Sequence, residues 1–462
     1  MRPSSPTALV VAAAALLSAC SFIPVYERPA APVAPAWADT GPSVGPAAAD
    51  LAWADFLTDA RMRALVEIAL KNNRDLRIAV LNVEQARAQL GVQRADLLPS
   101  VGLGASGNRA PNSSGGISSL YTAGLSVSAF ELDLFGRVRS LSEAALARYL
   151  ASDEGRRAAQ VALIAAVAST ELALRADEEQ LELTRRTLAS REETLSLVRV
   201  RFDAGVIAEQ DLRGAESLVA GARATLSALR RQRSQDANAL ALLIGEPVPA
   251  GLPPPTGLSA LSLTDLPAGL PSEVLLQRPD IRQAEQQLIA ANANIGAARA
   301  AFFPRITLTG SAGFASSDLS SLFDKTAWTF APQLLQPLFD AGRNEANLAA
   351  ARAAREIAVA QYEKAIQVAF REVADALAGR ATLGEQLAAQ QAQAAAEARR
   401  LELADVLLRG GAASLIDRQD VERSALLTRL VVVQVQLAKA QNAVLLYRVL
   451  GGGAGPATVA AR

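Results

Sequence analysis

The sequence predicts a mainly α-helical chain with a membrane β-barrel part: tandem-duplicated, long antiparallel helical hairpins forming an α-barrel, with four strands per chain contributed to the β-barrel. Three observations predict it. Two stretches, Arg137 to Asp203 and Arg343 to Arg409, are equally long and contain no proline; as unbroken helix each would extend roughly 100 Å at ~1.5 Å per residue, far beyond an ordinary globular helix. The chain repeats itself. Each copy also holds short segments in which apolar residues alternate with small polar ones, the two-residue period of a strand.

The duplication decides the architecture. Asn73-Arg74-Asp75-Leu76-Arg77 matches Arg278-Pro279-Asp280-Ile281-Arg282, and Pro99 matches Pro304, 205 positions apart (280 less 75). Further on the offset is 206 (342 less 136): Gly136 with Gly342, Gly205 with Gly411, Asp211 with Asp417, Gly245 with Gly451. One inserted residue therefore separates two copies of a single unit. The expected organisation is a signal peptide at 1–19, a lipidated N-terminal tether at 20–53, the first repeat at 54–250, a Pro-rich linker at 251–270, the second repeat at 271–453 and a tail at 454–462. Tandem copies built on long helices favour one elongated body over separate domains.

Composition narrows the function. Charge is balanced at 46 basic and 46 acidic residues in 462, so there is no basic footprint for nucleic acid. With no histidine and one cysteine, His-based acid–base catalysis and a Cys/His zinc site are excluded. No nucleophile with its base, metal cluster or phosphate loop is visible; neither an enzyme nor a cofactor is expected.

At the N-terminus, Arg2, an apolar run from Ala8 to Leu17 and then Leu17-Ser18-Ala19-Cys20 compose a secretory signal. Its ending resembles a bacterial lipobox, which would make Cys20 the lipidated first residue of the mature chain. Ser21 in the next position resembles lipoproteins sorted to the outer membrane. Several acyl chains, at ~0.8 kcal/mol per buried methylene, would hold the chain in lipid. Residues 21 to 50, rich in Pro and Ala, have the look of a tether without a core. No run of eighteen apolar residues follows the signal, so no membrane-crossing helix is expected.

Each repeat opens with a helix, Leu57 to Leu97 with a break at Asn72-Asn73 in the first copy and Asp280 to Ala301 in the second. Both end at a proline. Strands follow: Val101, Leu103 and Ala105, then Leu125, Val127 and Ala129, in the first copy; Ile306, Leu308, Gly310, Ala312 and Phe314, then Trp328 and Phe330, in the second. The rods come next, carrying Leu174, Leu181, Leu188, Leu195 and Phe202, and Leu387, Ala394, Leu401 and Leu408, at seven-residue spacing that supercoils neighbouring helices. Taken alone, those leucines fit a coiled-coil strut. Each rod stops at Gly205 or Gly411, suited to the left-handed position past a helix C-terminus, and a return helix follows (Glu209 to Ile244, Leu415 to Leu450). Four strands cannot close a barrel, and open edges are not tolerated in lipid; three copies would supply about twelve strands, within the range of membrane barrels.

The runs Arg278-Pro279-Asp280-Ile281-Arg282-Gln283-Ala284-Glu285, Ala293 to Pro304, Phe130-Glu131-Leu132-Asp133-Leu134-Phe135-Gly136-Arg137 and the closing Leu450-Gly451-Gly452-Gly453 resemble the TolC-type outer-membrane factors (outer-membrane efflux proteins), in their NodT-type lipoprotein branch. The resemblance implies a homotrimer in outer-membrane lipid with a helical tunnel in the periplasm. It also implies docking to a periplasmic adaptor (membrane fusion protein) and an inner-membrane pump, with the chain acting as a passive exit duct for small toxic compounds. A type I protein-secretion duct and a structural coiled-coil envelope lipoprotein are the alternatives.

By the same resemblance the second tip lines the periplasmic mouth, which makes Ile416, Asp417, Asp420 and Arg423 the candidate gate. Asp417 and Asp420 stand three apart on one helix face, and such charges ~6 Å apart repel by roughly 3 kcal/mol at an effective dielectric near 20. The local readings stand beside this one. Ser414 and Asp417 have the spacing of a capping box, and Asp420 with Arg423 that of an exposed ion pair. Phe202, Gly205, Val206, Gly411 and Ala412 are the candidate adaptor contacts at the two tips. The second tip lacks an aromatic residue to match Phe202.

Overall fold

A computed structural model describes residues 21–37, 48–111, 113, 115–261, 263, 264, 266 and 272–453. The expected signal peptide at 1–19, Cys20 and the expected tail at 454–462 lie outside the described residues. Eight α-helices and four strands follow in order among the described residues: α1 Trp53–Phe56, α2 Ala60–Asn72, α3 Arg74–Ala95, β1 Val101–Pro111, β2 Ile117–Leu132, α4 Arg137–Asp203, α5 Glu209–Ile244, α6 Pro279–Ala300, β3 Arg305–Ser316, β4 Thr326–Leu335, α7 Arg343–Arg409 and α8 Leu415–Val449. The two rods, α4 and α7, have the bounds that the proline-free stretches predict, at 67 residues each.

The expected break in the first helix falls at Asn73, whose extended backbone ends α2. Its Oδ1 accepts the Leu76 amide at 2.8 Å and its Nδ2 donates to the Leu243 carbonyl at 2.9 Å. Arg278, its counterpart in the second copy, donates to the Val449 carbonyl at 3.0 Å. Val449 stands 206 positions beyond Leu243, so one staple between the opening and the end of the return helix is made twice, with different chemistry.

The chain divides into two compact units. One comprises Met1–Pro32, Ala79–Gly155 and Asp280–Ala365; the other Val33–Ile78, Arg156–Pro279 and Ile366–Arg462. In the second unit, Met62, Leu65, Val66 and Ala69 of α2 are buried, as are Leu240 and Ile244 of α5, with which α2 packs. Phe56 and Tyr447 stack with ring centroids 4.1 Å apart. Arg175 is buried beside Asp59 (2.9 Å) and Glu171 (3.1 Å), and Arg61 also reaches Glu171 (2.8 Å). Burial pushes the Asp59 carboxyl up, but hydrogen bonds from Arg175 and the Met62 amide outweigh it and bring the pKa to about 2.

In the first unit the segment expected to be a coreless tether is docked instead. Ile23 lies over Gly296, where a Cβ would come within 2.6 Å of its side chain. The Pro24 carbonyl accepts from Asn292 and the Phe22 carbonyl from Arg299. Glu285 accepts from Tyr26 (3.0 Å) and from both Nε and Nη2 of Arg28 (2.6 and 3.1 Å). Proline-rich chain buries little surface of its own, yet side chains spaced along it find partners on α6.

α4 and α8 each carry an 18-residue window of mean hydropathy 1.3 and 1.2, long and apolar enough to cross a membrane by composition alone. Charges elsewhere in both helices interrupt longer runs. Half of the α4 window is buried within the chain, as in a core helix.

Candidate functional site

The four strands form one antiparallel sheet in the order β1-β2-β3-β4. Residues directly opposite one another share a face, and the faces differ. Leu103, Leu125, Ala312 and Trp328 align across all four strands, as do Val101, Val127, Gly310 and Phe330. On the other face lie Gly104, Gly124, Gly313 and Ala327, and next to them Gly102, Ser126, Ser311 and Thr329. Hydroxyls pair across this second face, Ser106 with Thr122 at 2.8 Å and Ser311 with Thr329 at 2.7 Å. The apolar face is bare, with Leu103 83% and Trp328 77% exposed. A sheet with one lipid-compatible face and one small, wettable face is a membrane wall.

Two details shape it. β2 and β3 come so close that a Cβ on Gly313 would stand 2.2 Å from the Ala123 carbonyl oxygen, and one on Gly124 2.5 Å from that of Ala312. The alternation expected to run through Ala129 is interrupted by a bulge between Val127 and Phe130. Ala129 sits there at φ 52°, its amide bonded to Thr309 Oγ1 at 3.1 Å. The extra residue reverses parity. Phe130 and Leu132 therefore join the apolar face, and Glu131 the small one, where it pairs with Arg137 (2.7 Å) and Arg305 (2.6 Å). β1 and β4 are each paired on one side only among the described residues, leaving two open edges.

The tips are two versions of one turn. Gly205 and Gly411 adopt φ of 71° and 73°, and Val206 N–H reaches back to Arg201 O as Ala412 N–H does to Leu407 O, both at 2.9 Å. Gly205, Val206, Gly411 and Ala412 are exposed. Phe202 is turned inward against the cluster of Leu195, Val198, Leu212, Ala215 and Val219, which Leu415 of the second tip also joins.

The candidate gate residues separate by role. Asp417 completes a capping box: its amide donates to Ser414 Oγ (3.1 Å), while its Oδ2 accepts from the Ser414 amide (3.0 Å) and hydroxyl (2.6 Å). Those bonds hold its pKa below the usual carboxylate range. Asp420 pairs with Arg423 at 3.0 Å on the helix exterior, and Ile416 is half-exposed. The capping and ion-pair geometries legible in the spacing are both present.

A stronger constellation, barely legible in the sequence, stands one turn away. Arg418 of α8 reaches Asp405 of α7 at 2.8 Å and Glu422 at 2.6 Å, and its Nη2 lies 3.5 Å from Ser190 Oγ of α4. Arg191 of α4 is buried, and donates to the Leu218 carbonyl at 3.1 Å. Burial and the nearby Arg423 lower its pKa while Glu422 raises it. Three helices thus meet through charge at the second tip. Only the Arg418–Glu422 spacing of four residues signals this in sequence; Asp405 and Arg191 come from other helices.

A four-stranded membrane wall with two open edges, in a chain that also forms two long helical hairpins, defines an outer-membrane channel protein. The chain belongs to the family described as Outer membrane efflux protein, which matches residues 65–246 and 270–452, one match for each copy of the repeat. It is similar to the solvent efflux pump outer membrane protein SrpC of Pseudomonas putida, 45% identical over 454 residues, covering 95% of this chain and 96% of SrpC. It is also similar to outer membrane protein OprJ of Pseudomonas aeruginosa, 45% identical over 448 residues, covering 95% and 94%. Among solved structures, the open state of the Neisseria gonorrhoeae MtrE outer membrane channel superposes with a TM-score of 0.88 at 42% identity, covering 94% of this chain and 98% of that one. The Campylobacter jejuni CmeC outer membrane channel gives 0.86 at 27% identity, covering 94% and 95%. The family is one of outer-membrane channels rather than of enzymes.

Proposed function

We propose that three copies of the chain close into one duct, the passive outer-membrane exit of a tripartite efflux system. The observation that carries this is the four-stranded sheet with one apolar face, one Gly/Ser/Thr face and two unpaired edges. Three such sheets joined edge to edge make a wall of about twelve strands with no open margin in lipid. A periplasmic adaptor docks at the tips, where Gly205, Val206, Gly411 and Ala412 let another hairpin approach closely, and Phe202 supports that surface from below. An inner-membrane pump supplies the energy. Acylated Cys20 anchors each subunit. The cargo is small and toxic, a reading supported by relatives named for solvent, toluene and antibiotic efflux.

At the mouth, Arg418 is the clasp. It ties α8 to α7 through Asp405, while Asp420 and Arg423 set the charge of the opening. The experiment is conductance of the purified protein in a planar bilayer, beside its mobility with and without heating. A heat-sensitive oligomer that conducts is expected, and a non-conducting monomer sinks the proposal. Arg418→Ala should raise open conductance severalfold, whereas Asp420→Ala should change cation preference with little effect on conductance. Unchanged current and selectivity in both would remove these residues from the gate.

A further inference from the structure

Below the wall, in the unit that contains it, a hollow of about 320 Å³ is lined by Pro24, Ile295, Arg299, Arg352, Arg355 and Glu356. Three of the six are arginines. Glu356 is occupied by Arg355 at 2.7 Å, and one Arg299 nitrogen donates to the Phe22 carbonyl at 3.2 Å, leaving its remaining N–H groups for other acceptors. Arg352 is exposed and has no ion-pair partner among the described residues. Two guanidinium charges are therefore in excess. A forked donor of this kind matches phosphate oxygens in pairs.

The surroundings say which phosphate. Arg299 lies six residues before β3 begins at Arg305. Arg352 lies nine residues into α7, ~14 Å along the helix at ~1.5 Å per residue. The rings of Phe22, Phe303 and Phe135 stack at this level (4.6 and 4.9 Å), and Leu338 and Phe339, between β4 and α7, are 94% and 91% exposed. Aromatic and apolar residues at the foot of a membrane wall mark the water–lipid boundary, and a basic pocket just beyond it meets headgroups. The repeat supplies a control. Positions 206 before Arg352, Arg355 and Glu356 hold Leu146, Tyr149 and Leu150, so the helix needs no charge there to form.

We propose that Arg299, Arg352 and Arg355 bind the phosphate of an anionic phospholipid headgroup in the periplasm-facing leaflet, beside the docked N-terminal segment. This rests on the reading of the strands as a membrane wall. The test uses the full chain in detergent, titrated with phosphatidylglycerol, phosphatidylcholine or sodium phosphate, with bound lipid counted by native mass spectrometry. The wild type should retain phosphatidylglycerol in preference to phosphatidylcholine. Arg352→Gln/Arg355→Gln should weaken that retention about tenfold, and Arg399→Gln, an exposed arginine of the other unit, should not. Equal retention by the double variant overturns the site. Displacement of phosphatidylglycerol by millimolar sodium phosphate assigns the pocket to free phosphate and overturns the lipid. Bilayer conductance, measured in parallel, reports on the duct itself: a wild type that fails to conduct counts against the wall, while the lipid count still judges the pocket.

Discussion

The two copies of the repeat share a backbone and divide the labour. In the first, charge is buried: Arg175 of α4 lies between Asp59 and Glu171, and Asp177 lies against Asp236. The second copy, 206 positions on, has Leu377, Ala381, Leu383 and Asn442 at the corresponding places. At the tips the contrast reverses. The first tip is an apolar cluster around Val198 whose ion pairs (Arg199, Glu209, Arg213, Glu216) stay on its outer face, with Ala208 at the start of α5 making no side-chain cap; the second carries the capping box and the Arg418 network, which reaches the buried Glu422. The same turn, glycine and back-bond occur in both, so shape was retained while the position of charge moved. A duplicated frame can thus bury charge in the middle of one copy and at the tip of the other.

The largest test of that contrast is Arg175→Ala. It leaves the buried Asp59 without its cation and Glu171 with Arg61 alone, and should cost about 3–5 kcal/mol, read as a lowered midpoint of denaturant unfolding. Ala381→Ser, at the matching place in the second copy, should move the midpoint little. A small loss at Arg175 would mean that the first copy is not held by charge.

Next is the carboxyl pair. Burial, then the neighbouring Asp236, pushes Asp177 up to about 7, while Arg233 partly opposes it. A carboxyl whose folded pKa exceeds its unfolded value near 4 contributes stability below that lower value. The contribution is lost as pH rises through about 7. Asp177→Asn should flatten the decline between pH 4 and 7 and raise the melting temperature at pH 8 by at least ~2 °C. A pH profile that keeps its slope would refute the pairing.

The smallest effect lies where α5 and α8 begin, one helix capped and the other not. Ser414→Ala should cost ~1 kcal/mol. Ala208→Ser, with Asp211 already three residues on, should build the missing box in the first copy and return part of that amount. Helix content and melting temperature of the two variants should move in opposite directions.

What was legible in the sequence was local or periodic. Proline-free runs marked the rods, glycines the tips, alternation the strands, and the Ser414–Asp417 spacing its box. The bulge was hidden because Ala129 adopts its left-handed backbone without a glycine to announce it. The docked segment was hidden because Ile23 and Gly296 are brought together only by the fold. The same holds for Arg418 and Asp405, on different helices. Phe202, the last member of the seven-residue series and a candidate adaptor contact, is half-buried, since that repeat continues its seam to the last turn.

The unpaired margins of β1 and β4 have a consequence for the newborn protein. In the duct proposed above, a subunit that has not met its neighbours presents its sheet as a ribbon with one apolar face and unpaired backbone along both margins, open to any strand it meets. On that reading, masking of both margins, by an escort or by a second copy, is what keeps such a ribbon from pairing wrongly. If three copies close each pore, the yield of pores depends on how often copies meet as well as on the fold of each chain.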